Sequence, residues 1–154
     1  MKFEIDPYVR AGPIALGMSQ PDVQAILGSP SRSSKAFNGD VNWTYDLLYL
    51  DVGFSKKNQA VHHIGLSGSA EVFVDGIDVF RDSSAMTKLM SRDGEPFKYV
   101  GFIVLLHLGI MLGGFDDDED ASSRTIAAFS RGRWDERQSK FVPLTSKPGA
   151  IDQT

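Results

Sequence analysis

The chain has 154 residues, the length of one ordinary domain, with 42% apolar and 23% charged residues, as in soluble globular proteins. Its formal net charge of −4 removes a general electrostatic reason to bind nucleic acid or an anionic membrane, and favours a basic partner. The absence of cysteine excludes disulfides, thiolate nucleophiles and thiolate metal ligands.

The N-terminal segment MKFEIDPYVR has no apolar core of the kind that secretory signals carry. The longest apolar run, residues 100–114, contains His107 and is too short to span a bilayer. We therefore expect a cytoplasmic protein with no membrane partner.

The stretch LGMSQPDVQAILGSP predicts a short helix. Ser19 is a favourable N-cap, and Val23, Ile26 and Leu27 form an apolar stripe at helical spacing. Gly28 supplies a C-terminal stop. A helix this short is stable only if its stripe is buried against another element.

Alternating apolar and polar residues after this helix predict an antiparallel meander. The expected strands cover residues 41–45, 48–54, 60–67 and 71–74. The second half starts with a helix that Asp82 and Ser83 cap and that runs to about Met90. Strands over residues 97–104, 108–115 and 125–130 follow.

The two halves of the chain also match in their helix-capping and turn residues. Ser83 lies 64 residues after Ser19, and Gly28-Ser29-Pro30 corresponds to Gly94-Glu95-Pro96. Such a period suggests an internal duplication. We expect an α+β fold in which short helices pack on one face of an antiparallel sheet, as two helix-plus-three-strand repeats.

The expected domain organisation follows from that reading. Residues 1–134 form a single globular domain, with pseudo-repeats at about 12–70 and 76–131. Residues 135–154 are polar and lack periodicity, which predicts a loosely ordered C-terminal tail.

The pattern G-M-S-x-x-x-V-x-x-I-L-G-x-P, from Gly17 to Pro30, resembles the start of SmpA/BamE-like small lipoprotein domains. It is also similar to the repeats of the β-lactamase inhibitor protein, in which two such repeats form one binding surface. The lipoproteins are secreted and anchored through a cysteine that this chain lacks. By analogy of fold and location, the resemblance implies a bacterial immunity protein.

The sequence offers little that favours catalysis or metal binding. His62 and His63 are adjacent on a predicted strand, so regular geometry would point them to opposite faces. His107 lies in an apolar stretch and is expected to be structural. No nucleophile motif or phosphate loop is present, so we expect no enzymatic activity, no metal and no cofactor.

The most unusual local feature is a run of five carboxylates. It consists of Asp116, Asp117, Asp118, Glu119 and Asp120. It could be simply a solvated hairpin tip, and it lacks the ligand order of a calcium loop. The functional alternative is an electrostatic contact for a basic protein, for example a nuclease with a groove for phosphates.

Two aromatic residues complete the predicted partner-binding set. Tyr49 is expected to be exposed, with Asp51 two residues away on the same face, a composition typical of protein-binding hot spots. Trp134 is flanked by Arg131, Arg133 and Asp135. It could belong to the same surface or hold the tail in place.

These observations predict a non-catalytic binding protein. Its most concrete form is an immunity protein that neutralises a cognate toxin by occluding the toxin's active site. The alternatives are a small enzyme with an unrecognised site, to be sought around His107, and an assembly or adaptor module. The sequence does not define the toxin or the oligomeric state.

Reversing the charge of Asp117, Asp118 and Asp120 to lysine tests the acidic run. We expect near-normal folding, because these residues are predicted to be solvated, and weaker binding of the cognate toxin in calorimetric titration. Unchanged affinity would rule out the acidic run as the contact.

Overall fold

The computed structural model describes residues 1–115 and 123–144. Within them it forms fourteen strands and two short α-helices. The strands are β1 (Lys2–Asp6), β2 (Arg10–Ala11), β3 (Ile14–Ala15), β4 (Arg32–Lys35), β5 (Val41–Tyr45), β6 (Leu50–Phe54), β7 (Val61–Ser67), β8 (Glu71–Val74), β9 (Ile77–Asp78), β10 (Phe97–Tyr99), β11 (Phe102–Leu105), β12 (Ile110–Gly113), β13 (Thr125–Phe129) and β14 (Val142–Pro143). The helices are α1 (Gln20–Leu27) and α2 (Ala85–Asp93).

These strands form two sheets. The smaller one has five strands in the order β3-β2-β1-β8-β9, with β1 and β8 parallel. The larger one has nine strands in the order β14-β10-β11-β12-β13-β7-β6-β5-β4, and its paired neighbours are antiparallel. The pairing of β7 with β13 joins two meanders that are distant in sequence into one sheet.

The main core lies on one face of the nine-stranded sheet, which we call the inner face. Alternate residues of β5, β6 and β7 point into it, among them Trp43, Val52 and Ile64. The five-stranded sheet contributes Phe3 and Val72 to the same core. Both helices pack into this core as well, through residues buried on one side of each helix.

The start of α1 agrees with its sequence pattern. The Ser19 hydroxyl accepts a hydrogen bond from the Asp22 backbone N–H at 3.2 Å, and the Asp22 carboxylate accepts one from the Ser19 N–H at 3.4 Å. This reciprocal capping satisfies two helix N–H groups that have no partner inside the helix. Of the predicted stripe, Val23 is completely buried and Leu27 packs against the core, whereas Ile26 is 45% exposed.

The predicted fold class is wrong. The chain is mostly β, and its two sheets do not form two helix-plus-three-strand repeats with the helices on one face. Residues 32–35 add a strand that the sequence pattern did not indicate, since RSSK is polar and exposed throughout. Residues 71–74 leave the meander and pair with β1 in the second sheet.

A second part of the error has a local cause. The expected strand over residues 97–104 is a tight hairpin, β10 to β11, that turns at Val100 and Gly101 with positive φ at both. Glycine adopts this conformation readily, but a β-branched residue does so rarely, so Val100 masked the turn. The strands β2, β3 and β9 have only two residues each and are too short to show periodicity.

The end of α2 is tied to the β11–β12 turn by a buried carboxylate. Asp93 is 4% exposed, and its oxygens accept from the backbone N–H groups of His107 at 2.8 Å, Leu108 at 3.0 Å and Glu95 at 3.2 Å. Three backbone donors thereby obtain a partner, which explains why this charged group is tolerated in the interior.

Replacing Asp93 with alanine should lower the free energy of unfolding by about 3 kcal/mol, because backbone donors would be left buried without an acceptor. Urea denaturation followed by circular dichroism measures the change. Glu95→Ala is the matched control, since that side chain is exposed and its carboxylate lies 3.2 Å from the His107 ring. Equal effects of the two substitutions would contradict the role assigned to Asp93.

Candidate binding cleft

The outer face of the nine-stranded sheet is polar over β5, β6 and β7. The residues between the core-facing positions there include Asn42, Thr44, Asp51 and His63. The Asp51 carboxylate accepts from the Thr44 hydroxyl at 2.7 Å and from the Asn42 amide at 3.3 Å. This half of the outer face is therefore an ordered polar surface.

His63 lies over two glycines on this face. Its cross-strand neighbour is Gly53 on β6. A Cβ atom added at Gly53 would lie 3.1 Å from the His63 Cβ, and one added at Gly65 would lie 3.2 Å from the His63 Nε2. The ring therefore fills space that side chains at positions 53 and 65 would otherwise take.

The surroundings of His63 keep it neutral. Burial, and then the positive charge of Arg133 and the neighbouring His62, lower its pKa to about 4, while Asp51 opposes the shift. The ring nitrogen Nδ1 is buried and has no hydrogen-bond partner in the described part of the chain. At neutral pH the imidazole therefore offers one donor and one acceptor.

The two adjacent histidines do not point to opposite faces as expected from a regular strand. The register of β6 and β7 shifts between Gly53 and Phe54, which leaves His62 as the extra residue of a bulge. His62 and His63 consequently line the same recess. The Nε2 of His62 lies 3.5 Å from the Asp40 carboxylate, and burial is the main reason that its pKa is lowered.

Asp40 is fixed at the base of the β4–β5 hairpin. Its carboxylate accepts from the Lys56 backbone N–H at 2.8 Å and from the Asn38 amide at 3.1 Å. Burial raises its pKa, but these hydrogen bonds together with His62 and Arg133 outweigh burial and lower the pKa below the usual value. Asp40 is therefore ionised at neutral pH.

The C-terminal segment, residues 130–144, covers the apolar half of the outer face. Its Trp134 ring packs edge-on against Phe129 at 6.2 Å and against Tyr99 at 6.0 Å. Its Phe141 is buried in the same aromatic cluster. The Ser130 N–H donates to the His62 carbonyl at 3.1 Å. These contacts bring the segment next to the polar half of the sheet.

A cleft of about 1000 Å³ separates this segment from the β4–β5 hairpin and the β6–β7 turn, and an adjoining recess of about 430 Å³ lies over His63. Cationic side chains outnumber acidic ones along the cleft. The cations are Lys56, Lys57, Arg131, Arg133 and Arg137, and the carboxylates are Asp40 and Glu136. The site is thus positively charged on a chain that is negative overall.

The three arginines make no ion pair with a carboxylate within residues 1–115 and 123–144. Arg131 lies over the Tyr8 ring at 4.1 Å, and Arg137 donates to the Tyr99 hydroxyl at 3.2 Å. Arg133 lies 4.8 Å from the Trp134 ring, and burial lowers its pKa. The cleft therefore has cationic groups free to meet an anion.

The residues that the sequence predicted to bind a partner lie at separate places in the structure. Tyr49 is half exposed, with positive φ, at the end of the 3-10 turn Asp46–Leu48. Asp51 is on the outer face near His63, and Trp134 holds the C-terminal segment while lining the cleft. The predicted acidic contact, Asp116 to Asp120, lies outside the described residues.

The arginines and the two histidines were not predicted as a site from the sequence. The available signal was the run RGRWDER at residues 131–137, which has three arginines within seven positions directly after a strand. The predicted tail starts inside this run. Phe141 in that region is buried, and β14 pairs with β10. Residues 145–154 of the predicted tail lie outside the described part of the chain.

Comparison with known proteins gives a likeness of fold. No protein-family model matches this chain, and no curated protein matches it either. Among solved structures it is similar to an extracellular protein containing an SCP domain from Bacillus anthracis, with 14% identity and a TM-score of 0.50. The alignment covers 90% of this chain and 52% of that one, so the likeness concerns about half of the neighbour.

Neither α1 nor α2 has the length and apolar character that crossing a membrane requires, and this holds for every helix in the described ranges. In those same ranges, no three histidine or carboxylate side chains converge as a metal site would need.

The low pKa of His63 should make the free energy of unfolding depend on pH. In the unfolded chain the imidazole has its ordinary pKa of 6.5, against about 4 when folded. Between these values only the unfolded chain takes up the proton, so acidification destabilises the fold, by about 3 kcal/mol for this residue.

We expect His63→Gln to remove this part of the pH dependence when urea unfolding is compared between pH 4 and pH 7. His107→Gln is the control of opposite sign. The Asp93 carbonyl raises the pKa of His107, so its contribution favours the fold at low pH and is lost as pH rises above about 6.5. Identical pH profiles for His63→Gln and the wild type would contradict the assignment.

Proposed function

We propose that this chain is a non-catalytic protein-binding domain, and that its partner docks on the cleft and on the adjoining tip of the β4–β5 hairpin. The observation that carries the proposal is Phe37. This aromatic side chain is fully exposed at the hairpin tip and lines the recess that also contains His63 and Arg133.

The hairpin tip is well ordered by its own hydrogen bonds. The Ala36 N–H donates to the Asp40 carbonyl at 2.8 Å, and the Gly39 N–H donates to the Ala36 carbonyl at 2.9 Å. Asp40 in turn holds the hairpin to Lys56 on the β6–β7 turn. Phe37 is thus presented on a fixed support, which lowers the entropy lost on binding.

An exposed phenyl ring contributes nothing to the core of its own chain. Burying such a ring in a partner's pocket contributes about 1.5–3 kcal/mol. Aromatic and arginine side chains together are the usual composition of protein-binding hot spots. Phe37 beside Arg133 and Arg137 has that composition.

The charge of the cleft favours an acidic contact surface on the partner. The negative net charge of the chain would disfavour contact with such a partner at acidic parts of the surface and so favour contact at the cationic cleft. An acidic contact surface differs from the basic partner that the acidic run predicted. One partner with an acidic and a basic surface could use both contacts. Neutralisation of a bacterial toxin in the cytoplasm stays a prediction from the sequence.

Two features support binding over catalysis. Ser55 and Ser130 line the cleft, yet within the described chain neither hydroxyl is hydrogen-bonded to His62 or His63. His107, the centre of the enzymatic alternative, is largely exposed. Its Nε2 lies 3.2 Å from the Glu95 carboxylate and its Nδ1 lies 2.7 Å from the Asp93 carbonyl oxygen, so both ring nitrogens already have partners.

Phe37→Ser tests the proposal in a capture experiment with the purified full chain and a lysate of its source. We expect the wild type to retain a stoichiometric partner, identified by mass spectrometry, and Phe37→Ser to retain at least tenfold less. Leu47→Ser is the matched control, because Leu47 is almost fully exposed at the opposite end of β5.

Equal capture by the wild type and Phe37→Ser would show that the hairpin tip is not the contact. Equal losses with Phe37→Ser and Leu47→Ser would indicate nonspecific adsorption through exposed apolar groups. The absence of any partner would contradict the binding function itself.

A further inference from the structure

Arg133 is a partly buried cation that forms no ion pair within the described residues, although the charge of Asp40 acts on it from beyond ion-pair distance. Its Nε is buried and has no hydrogen-bond partner, and no carboxylate of the described chain lies within ion-pair distance of its guanidinium. Burying an unpaired charge costs several kcal/mol, and a fold normally avoids that cost by pairing the group. A group retained in this state is a candidate for pairing with a ligand.

Two neighbours extend the set of unused hydrogen-bonding groups. Within residues 1–115 and 123–144, the Nδ1 of His63 and the indole Nε1 of Trp134 are also buried without hydrogen-bond partners. His63 shares the recess with Arg133 and Arg137, and Trp134 lines the adjoining cleft with the same two arginines. Two guanidinium groups and neutral donors suit a group with several acceptor lone pairs and a negative charge.

We propose that the recess formed by Arg133, Arg137 and His63 is a subsite for one oxyanion, a carboxylate or a phosphate group carried by the partner. This inference deepens the proposed function and rests on it only for the identity of the molecule that carries the group. Arginine suits either oxyanion, because its planar fork can donate two parallel hydrogen bonds.

Asp40 faces the same recess and would repel an anion. Its charge is already engaged by the Lys56 N–H, the Asn38 amide and the nearby His62. Asp51, on the same face, accepts from Thr44 and Asn42, and Glu136 lines the adjoining cleft near Arg137. Asp40 attracts Arg133 electrostatically but forms no ion pair with it in the described chain, so an incoming oxyanion would not have to displace a paired carboxylate from Arg133.

The test uses nuclear magnetic resonance on the full chain at pH 7, with the backbone and arginine Nε–Hε signals as probes. Sodium phosphate and sodium acetate are titrated separately against sodium chloride at equal ionic strength. We expect the Arg133 signal to move and saturate with phosphate or with acetate, and to move without saturation in chloride.

Arg133→Gln should abolish the saturating response. Arg137→Gln, at a more exposed position, should raise the dissociation constant about tenfold, and it serves as the test if Arg133→Gln does not fold. Arg81→Gln is the matched control, since Arg81 is exposed and lies near Asp78 away from the cleft, and its dissociation constant should equal that of the wild type.

Saturation by phosphate alone identifies a phosphorylated group on the partner, and saturation by acetate alone identifies a carboxylate. Responses equal to chloride, or saturation that survives in both cleft variants, overturn the subsite. Anion binding with equal partner capture by Phe37→Ser and the wild type would keep the subsite and remove the proposed docking surface. The reverse outcome would keep the surface and remove the subsite.

Discussion

The pairing of β7 with β13 is the contact on which the rest of the structure depends. Its register places Ile64 opposite Ala128 and Leu66 opposite Ile126, so that both meanders present their apolar residues to the same inner face. A slip of one residue would turn these side chains outward. Burial of the common core against the five-stranded sheet therefore selects this register. The same register places His63 beside Phe129 on the outer face.

That juxtaposition divides the outer face into a polar half and an apolar half. Beyond Phe129, the outer face of strands β10 to β12 carries apolar residues such as Val104 and Met111. The C-terminal segment buries them with Trp134 and Phe141. Removing this surface from water stabilises the position of the segment. Because the segment starts at the end of β13, its arginines lie at the border with the polar half.

The cleft therefore results from two structural constraints that arise independently, in different parts of the chain. A bulge at His62 brings two histidines to one side of the sheet, and an aromatic cluster around Trp134 places Arg133 and Arg137 opposite them. Burial in the recess keeps His63 neutral, and Arg133 forms no ion pair there within the described residues. A chain with an acidic balance thus carries a cationic cleft.

The sequence by itself determined the local elements with strong signals. The capping box at Ser19 and the alternation in β5 and β6 each act within a few residues, so they can be recognised without the fold. It did not determine the two-sheet architecture, because pairings such as β1 with β8 join strands far apart along the chain. It also did not determine the cleft. Only tertiary packing decides that His63 and Arg133 share a recess, since burial and electrostatic environment are properties of neighbours in space.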